Sequence, residues 1–163
     1  MHRLLLILIL LAGSAVADEI DTPSGEVLLT ISGNIAITNS ENGAEFDLAM
    51  LEKLGSVAIE TENPWTENLT EFSGVRLDVL LKAVGARSSS IRAMALDSYW
   101  YDIEEVDFEK YPVVMAYKRD GEYMNARTLG PLWIMFPFTD FPELLTEENK
   151  AACVWHVNSL IVQ

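Results

Sequence analysis

The chain has 163 residues, 50% of them hydrophobic, and 25 acidic side chains against 11 basic ones give it a formal net charge of −14. This length is typical of one compact domain, and the apolar content argues against a disordered chain. Binding to nucleic acid or to an anionic membrane surface is also disfavoured, because such affinity comes mainly from clustered lysines and arginines.

The first 17 residues have the layout of a secretory signal peptide. His2 and Arg3 form a short basic start, Leu4 to Leu11 an apolar run, and small residues lead to an Ala-x-Ala pattern that ends at Ala17. The run is shorter than the ~20 residues that cross a bilayer, so a permanent anchor is the weaker alternative. We expect cleavage after Ala17 and one periplasmic or secreted domain over 18–163, with no membrane insertion. Its net charge would be −15, since one arginine and no acid leaves with the peptide.

The beginning of the expected domain predicts a hairpin and a short helix. Glu26 to Ile31 and Ile35 to Thr38 are apolar or β-branched runs on either side of Ser32-Gly33-Asn34, a pattern typical of a hairpin. Asp47 is placed to cap a helix that Gly55 ends.

A second helix has a clearer apolar face. Leu77, Leu80, Leu81 and Val84 recur at helical spacing, and Gly85 follows as a residue that tolerates a left-handed C-terminal cap. We expect this face to pack on a sheet.

The rest of the chain predicts mainly strands. Pro112 to Tyr117 is apolar at every position, which indicates a central strand buried on both faces. Thr146 is placed to cap a short helix that reaches Ala152. Many strands, few helices and no βαβ alternation predict a mixed-sheet or barrel-like α+β domain. Further strands are predicted at Ser56–Thr61, Ile91–Leu96, Tyr99–Ile103, Leu132–Phe136 and Val154–Val162.

Several residues that can carry chemistry have simpler interpretations. Cys153 lies in an apolar run, which favours a buried small side chain over a reactive thiol. His156 has apolar neighbours and is the one histidine after Ala17, so a core or edge role is favoured over metal binding. The acids between Asp97 and Glu109 do not follow the spacing of a calcium loop, and we interpret them as a solvated edge. The sequence predicts no metal site.

One loop has a different composition. Residues 62–68 place Trp65 among short polar side chains directly after Pro64. Three further segments combine aromatic and polar groups: Asp97-Ser98-Tyr99-Trp100-Tyr101, Asn125-Ala126-Arg127 and Gly130-Pro131-Leu132-Trp133. A flat heteroaromatic ligand needs such groups, because its faces stack on aromatic rings and its edge is read by carboxylate, amide and guanidinium groups.

Six short segments also occur in a recognisable order. They are Phe72-Ser73-Gly74-Val75; Leu77, Leu80-Leu81 and Gly85; Ala95-Leu96-Asp97-Ser98-Tyr99; Ala116-Tyr117; Asp120-Gly121-Glu122-Tyr123-Met124; and Arg127 with Gly130-Pro131-Leu132-Trp133-Ile134. In this order they resemble the molybdopterin-binding domain of the sulfite oxidase family, over about Val27 to Val162. The likeness is greatest to small stand-alone secreted members, and it implies the sulfite oxidase molybdopterin-binding fold.

Departures from the enzyme pattern bear on activity. Catalytic members of the family ligate molybdenum through a cysteine in the loop after the strand that matches Ser56 to Thr61, where this chain has Asn63-Pro64-Trp65. The turn at Leu129-Gly130-Pro131-Leu132 lacks the histidine and arginine often found there, although Arg127 remains. The resemblance therefore implies no catalytic residues and a neutral pterin as ligand, with molybdopterin and its anionic phosphate disfavoured.

The resemblance also implies roles for five residues. Trp65 would stack on the pterin ring, Asp97 would accept hydrogen bonds from its exocyclic amine and ring nitrogen, and Arg127 would donate to its carbonyl. Tyr99 and Asn63 would line the wall. Asp97 at a strand end has a cap as its simpler role.

A partner is implied as well. Small proteins that resemble this one are encoded beside membrane receptors that make or degrade cyclic diguanylate, which implies ligand-dependent docking on the receptor's periplasmic sensor domain. The acidic stretch from Asp102 to Glu109 is a candidate contact surface. Two alternatives stay open: a molybdopterin-dependent oxidoreductase with an unusual metal ligand, and an envelope protein with a vestigial pocket.

Overall fold

The computed structural model describes residues 19–163, and the predicted signal peptide lies outside them. The described chain is a mixed α+β structure made mostly of strands. No helix in this part is long and apolar enough to cross a membrane. In chain order the elements are β1 (Val27–Gly33), β2 (Ala44–Asp47), α1 (Leu48–Lys53), β3 (Val57–Thr61), β4 (Thr70–Arg76), α2 (Leu77–Ala83), β5 (Ile91–Ala95), β6 (Trp100–Ile103), β7 (Val114–Arg119), β8 (Glu122–Tyr123), β9 (Trp133–Met135), α3 (Glu147–Ala152) and β10 (Val157–Val162), with 3-10 helices at Ala126–Thr128 and Pro142–Leu144.

The strands form two sheets. The first has the order β2-β1-β10-β5-β6, in which β1 and β10 are parallel and the other neighbours antiparallel. The second has the order β3-β4-β7-β8, and β9 pairs with β7 beside β8. The two sheets do not close into a barrel over residues 19–163. The α+β prediction is therefore confirmed, and of its two predicted forms the structure has the mixed sheet rather than the barrel-like one.

The predicted central strand is confirmed. β7 pairs with β4 on one side and with β8 and β9 on the other, and its first four residues are buried. Gly74 allows the close approach of β4, because a Cβ there would overlap the carbonyl oxygen of Met115. The partner strand β4 was not predicted as a strand, since its sequence mixes polar and apolar residues around this glycine.

The helices follow the predicted caps. The Asp47 carboxylate accepts a hydrogen bond from the Met50 amide and opens α1. The Thr146 hydroxyl accepts one from the Asn149 amide and opens α3. Gly85 follows α2 with a φ of +59°, in the left-handed region that favours glycine. The apolar face of α2 is buried as predicted.

The predicted hairpin at the beginning of the domain is wrong. β1 pairs with β2 and with β10 from the end of the chain, and residues 35–38 form no strand. The amides of Ala36 and Ile37 donate instead to the carbonyl of Val84, at 3.0 and 3.1 Å. The segment therefore packs beside the end of α2. It does not pair with β1, because β10, from a distant part of the sequence, is the parallel neighbour of β1.

Candidate ligand-binding site

Three tryptophans form a cluster between the second sheet and the segment before β10. The ring centroids of Trp65 and Trp133 are 5.9 Å apart, those of Trp65 and Trp155 also 5.9 Å, and those of Trp133 and Trp155 6.2 Å, all edge to face. Trp133 is fully buried, and its indole nitrogen donates to the carbonyl of Cys153 at 3.0 Å. Trp65 and Trp155 are partly exposed, so they form the outer layer of the cluster.

The loop after β3 is held in place by Asn63. Its side-chain oxygen accepts from the Trp65 amide at 3.0 Å, and its side-chain nitrogen donates to the Thr66 hydroxyl at 2.8 Å. Such an Asx turn replaces backbone pairing where the strand ends. Asn63 thus fixes the position from which the Trp65 ring reaches the cluster.

The outer tryptophans border a cavity of about 470 Å³, which we call the aromatic cavity. This volume lies within the usual range for small-molecule sites. The lining brings together three predicted ligand-binding residues, Trp65, Asp97 and Tyr99. Within the described residues the lining is Pro64, Trp65, Ala95, Asp97, Tyr99, Glu147, Lys150, Ala151, Cys153, Val154 and Trp155.

Asp97 and Tyr99 come from the tight turn between β5 and β6. The Ala95 amide donates to the Tyr99 carbonyl at 2.8 Å, and the Asp97 carboxylate accepts from the Tyr99 amide at 3.1 Å. The Tyr99 hydroxyl reaches the carbonyl of Ala151 at 3.4 Å, and desolvation, with a smaller effect of Tyr101, raises the pKa of Tyr99. Asp97 is exposed, and one of its oxygens makes the strand-end contact that the sequence left open as an alternative.

The short helix α3 supplies the opposite wall. The Lys150 amine pairs with the Glu147 carboxylate at 2.8 Å, and both side chains line the cavity. Cys153 is buried, and burial raises the pKa of its thiol to about 12. The thiol is therefore protonated at neutral pH, which confirms the prediction of a small buried side chain.

Two predicted ligand-binding residues lie outside the lining. Arg127 is exposed in the 3-10 helix Ala126–Thr128, whose first turn is capped by the Asn125 side chain. Asn63 acts on the cavity through the position of Trp65 rather than by lining it. Within the described lining, the cation is Lys150 and not Arg127.

Trp155 is a lining residue that the sequence analysis missed. It lies in an apolar run that predicts a strand from Val154, but β10 begins at Val157 and His156 has a φ of +54°. His156 connects three loops: its amide donates to Leu129, its carbonyl accepts from Leu96, and its Nδ1 lies 2.6 Å from the Gly130 carbonyl oxygen. This irregular segment turns Trp155 toward the cluster.

The aromatic cavity does not fit molybdopterin well. The one thiol in its lining is protonated and buried, and it donates to the Asn149 carbonyl at 3.4 Å. The one lining cation is already paired with Glu147, whereas a phosphate would need free cationic groups. Over residues 19–163, no group of three or more metal-ligating side chains is placed to hold a metal ion.

A larger cavity of about 590 Å³ lies between α2 and residues 105–109, and we call it the ion-pair groove. Lys82 in its lining contacts Glu109 at 3.1 Å and Asp78 at 3.7 Å. Phe108 is its one aromatic residue and is buried, so the groove offers no open aromatic face.

Two comparisons with known proteins gave no match. No protein-family model matches the chain. A comparison with curated proteins finds no significant match.

Proposed function

We propose that the mature protein is a non-catalytic pterin-binding protein of the periplasm or the extracellular space, with the fold of the sulfite oxidase molybdopterin-binding domain. The observation that carries this proposal is the aromatic cavity. Its partly exposed indole rings and the Asp97 carboxylate lie in one lining.

A pterin can be recognised by stacking on its ring faces and by hydrogen bonds to its ring edge, and the cavity has groups suited to each. Its ring faces are flat and polarisable, and Trp65, Trp155 and Tyr99 supply aromatic surface for stacking. Its amino-oxo edge carries donors that suit a carboxylate acceptor, and the exposed Asp97 carboxylate uses one oxygen to accept from the Tyr99 amide. The cation in the described lining is Lys150, whereas Arg127 lies outside it.

The proposal that the protein is non-catalytic rests on the residues available to ligate molybdenum. Molybdenum in these enzymes needs a soft thiolate, and the loop after β3 has Asn63-Pro64-Trp65 where the resemblance expects the cysteine. Cys153 lines the cavity from another element, but its raised pKa opposes formation of the thiolate.

The second part of the proposal is signalling. Pterin occupancy would be relayed to the periplasmic sensor domain of a membrane cyclic-diguanylate receptor. Leu96, Tyr99 and Trp100 are 58%, 48% and 50% exposed in and beside the β5–β6 turn that supplies Asp97 and Tyr99 to the cavity, and this exposure supports a docking surface there. Ligand can bias docking only through different affinities for the docked and free forms.

The test is isothermal titration of the mature protein with reduced and oxidised pterins. We expect micromolar or tighter binding, and a loss of at least about fivefold in Trp65→Ala, because one base–aromatic stack is worth about 1–3 kcal/mol. Trp100→Ala is the matched control, since Trp100 is exposed but lies outside the lining and packs under Arg92. Circular dichroism checks that both variants fold.

Three outcomes would contradict the proposal. Absence of binding to every pterin would favour an envelope protein with a vestigial pocket. Equal losses in Trp65→Ala and Trp100→Ala would place the ligand elsewhere. Stoichiometric molybdenum by elemental analysis of the purified protein would favour the oxidoreductase.

A further inference from the structure

Three charged side chains surround the aromatic cavity. Asp97 enters from the turn after β5, and Glu147 and Lys150 enter from α3. The Glu147 side chain is 87% exposed and that of Lys150 30% exposed, and their charged atoms are 2.8 Å apart. Within the described lining two carboxylates therefore face one ammonium, which already has a partner.

We propose that Glu147 and Lys150 together select the ligand by charge, so that the site takes pterins with neutral substituents and rejects carboxylated or phosphorylated ones. This inference rests on the proposed function, because it concerns the substituent of a pterin held in the aromatic cavity. An anionic substituent would have to displace Glu147 from Lys150 or lie near two carboxylates. A hydroxyalkyl substituent meets neither obstacle.

The pair is suited to this role by its exposure and its geometry. Glu147 is almost fully solvated, so its removal leaves no buried group without a partner. Lys150 is held at the cavity by the short helix and by this one carboxylate. Without Glu147, the ammonium would be free to pair with an anion inside the cavity, where solvent screens the attraction less than at an open surface.

The experiment compares two ligands that share one ring: hydroxymethylpterin, which is neutral, and carboxypterin, which carries a carboxylate. Near neutral pH the wild type should bind the neutral ligand at least about tenfold more tightly, a difference of about 1.4 kcal/mol. Glu147→Gln should reduce this preference several-fold by improving the affinity for carboxypterin. Lys150→Met should weaken carboxypterin binding further.

Glu104→Gln is the matched control, because it removes one exposed carboxylate outside the lining of the aromatic cavity. It should leave the preference unchanged. The inference is overturned, with the proposed function intact, if the wild type binds both pterins equally or if Glu104→Gln and Glu147→Gln have the same effect. Absence of binding to both pterins would overturn the inference together with the proposed function.

Discussion

The ion-pair groove and the aromatic cavity differ in chemistry more than in size. The ion-pair groove is the larger, at about 590 Å³ against about 470 Å³, but Lys82 in its lining is already paired with Asp78 and Glu109. The aromatic cavity is bordered by Trp65 and Trp155, which are packed on one side and open on the other.

This difference is why we propose the smaller cavity, and not the larger one, as the ligand-binding site. A ligand that bound Lys82 in the ion-pair groove would compete with its existing ion pairs, and exposed ion pairs gain little when they are exchanged. A flat ligand in the aromatic cavity would cover indole surface that the protein leaves partly exposed, which removes apolar area from water. Partly exposed aromatic rings that pack on buried ones are therefore a better indicator of a ligand-binding site than cavity volume.

The largest expected effect is on the support of the aromatic cavity. Trp133→Ala should lower the free energy of unfolding by about 3–5 kcal/mol, because it leaves a void under Trp65 and Trp155 and removes the hydrogen bond to Cys153. Urea denaturation measures this. Trp133→Phe, which keeps part of the ring volume, should lose less. Equal losses in the two variants would mean that the hydrogen bond, and not the packing, is what matters.

The next effect concerns the buried Cys153 thiol in the lining of the same cavity. Because burial raises the pKa of Cys153 to about 12, the unfolded thiol ionises first as the pH rises, so its contribution to stability is complete below about pH 8.5 and is then lost. The wild type should lose stability relative to Cys153→Ala as the pH rises from about 9 towards 12, because the unfolded thiol releases its proton first. Denaturation of both proteins across this range measures the difference, and parallel curves would contradict the burial of the thiol.

The smallest effect is expected in the ion-pair groove. Lys82→Met removes contacts to Asp78 and Glu109, but these are surface pairs and salt screens them. Its melting temperature should fall by less than that of either Trp133 variant, and by even less at high salt, with pterin affinity unchanged. A loss of pterin binding in Lys82→Met would mean that the wrong cavity has been assigned.

Much of the secondary structure could be predicted because local signals govern it. Asp47 and Thr146 cap their helices as their positions indicate, and Gly85 follows α2 in a left-handed conformation. The predicted hairpin failed because strand pairing is not local. β1 takes β10 as its parallel partner, and no feature near Ser32-Gly33-Asn34 reveals this.

The candidate site was also predictable in part, where local sequence marks its residues. Trp65, Asp97 and Tyr99 stand in polar loops, where a large aromatic or a carboxylate is conspicuous, and all three line the cavity. Trp155 was hidden in an apolar run that looks like a strand. Lys150 lies in the short helix after the cap residue Thr146, where a lysine usually faces solvent, so nothing local marks it as part of a cavity.

The sequence by itself determined which residues carry aromatic and charged groups, where the helices begin and end, and that β7 is buried on both faces. Only the tertiary structure decided which of these groups meet: Trp65 from the loop after β3, Trp155 from the segment before β10 and Lys150 from α3. The physical reason is that caps and periodicity act over a few residues. Pairing of distant strands, by contrast, depends on the packing of the whole core.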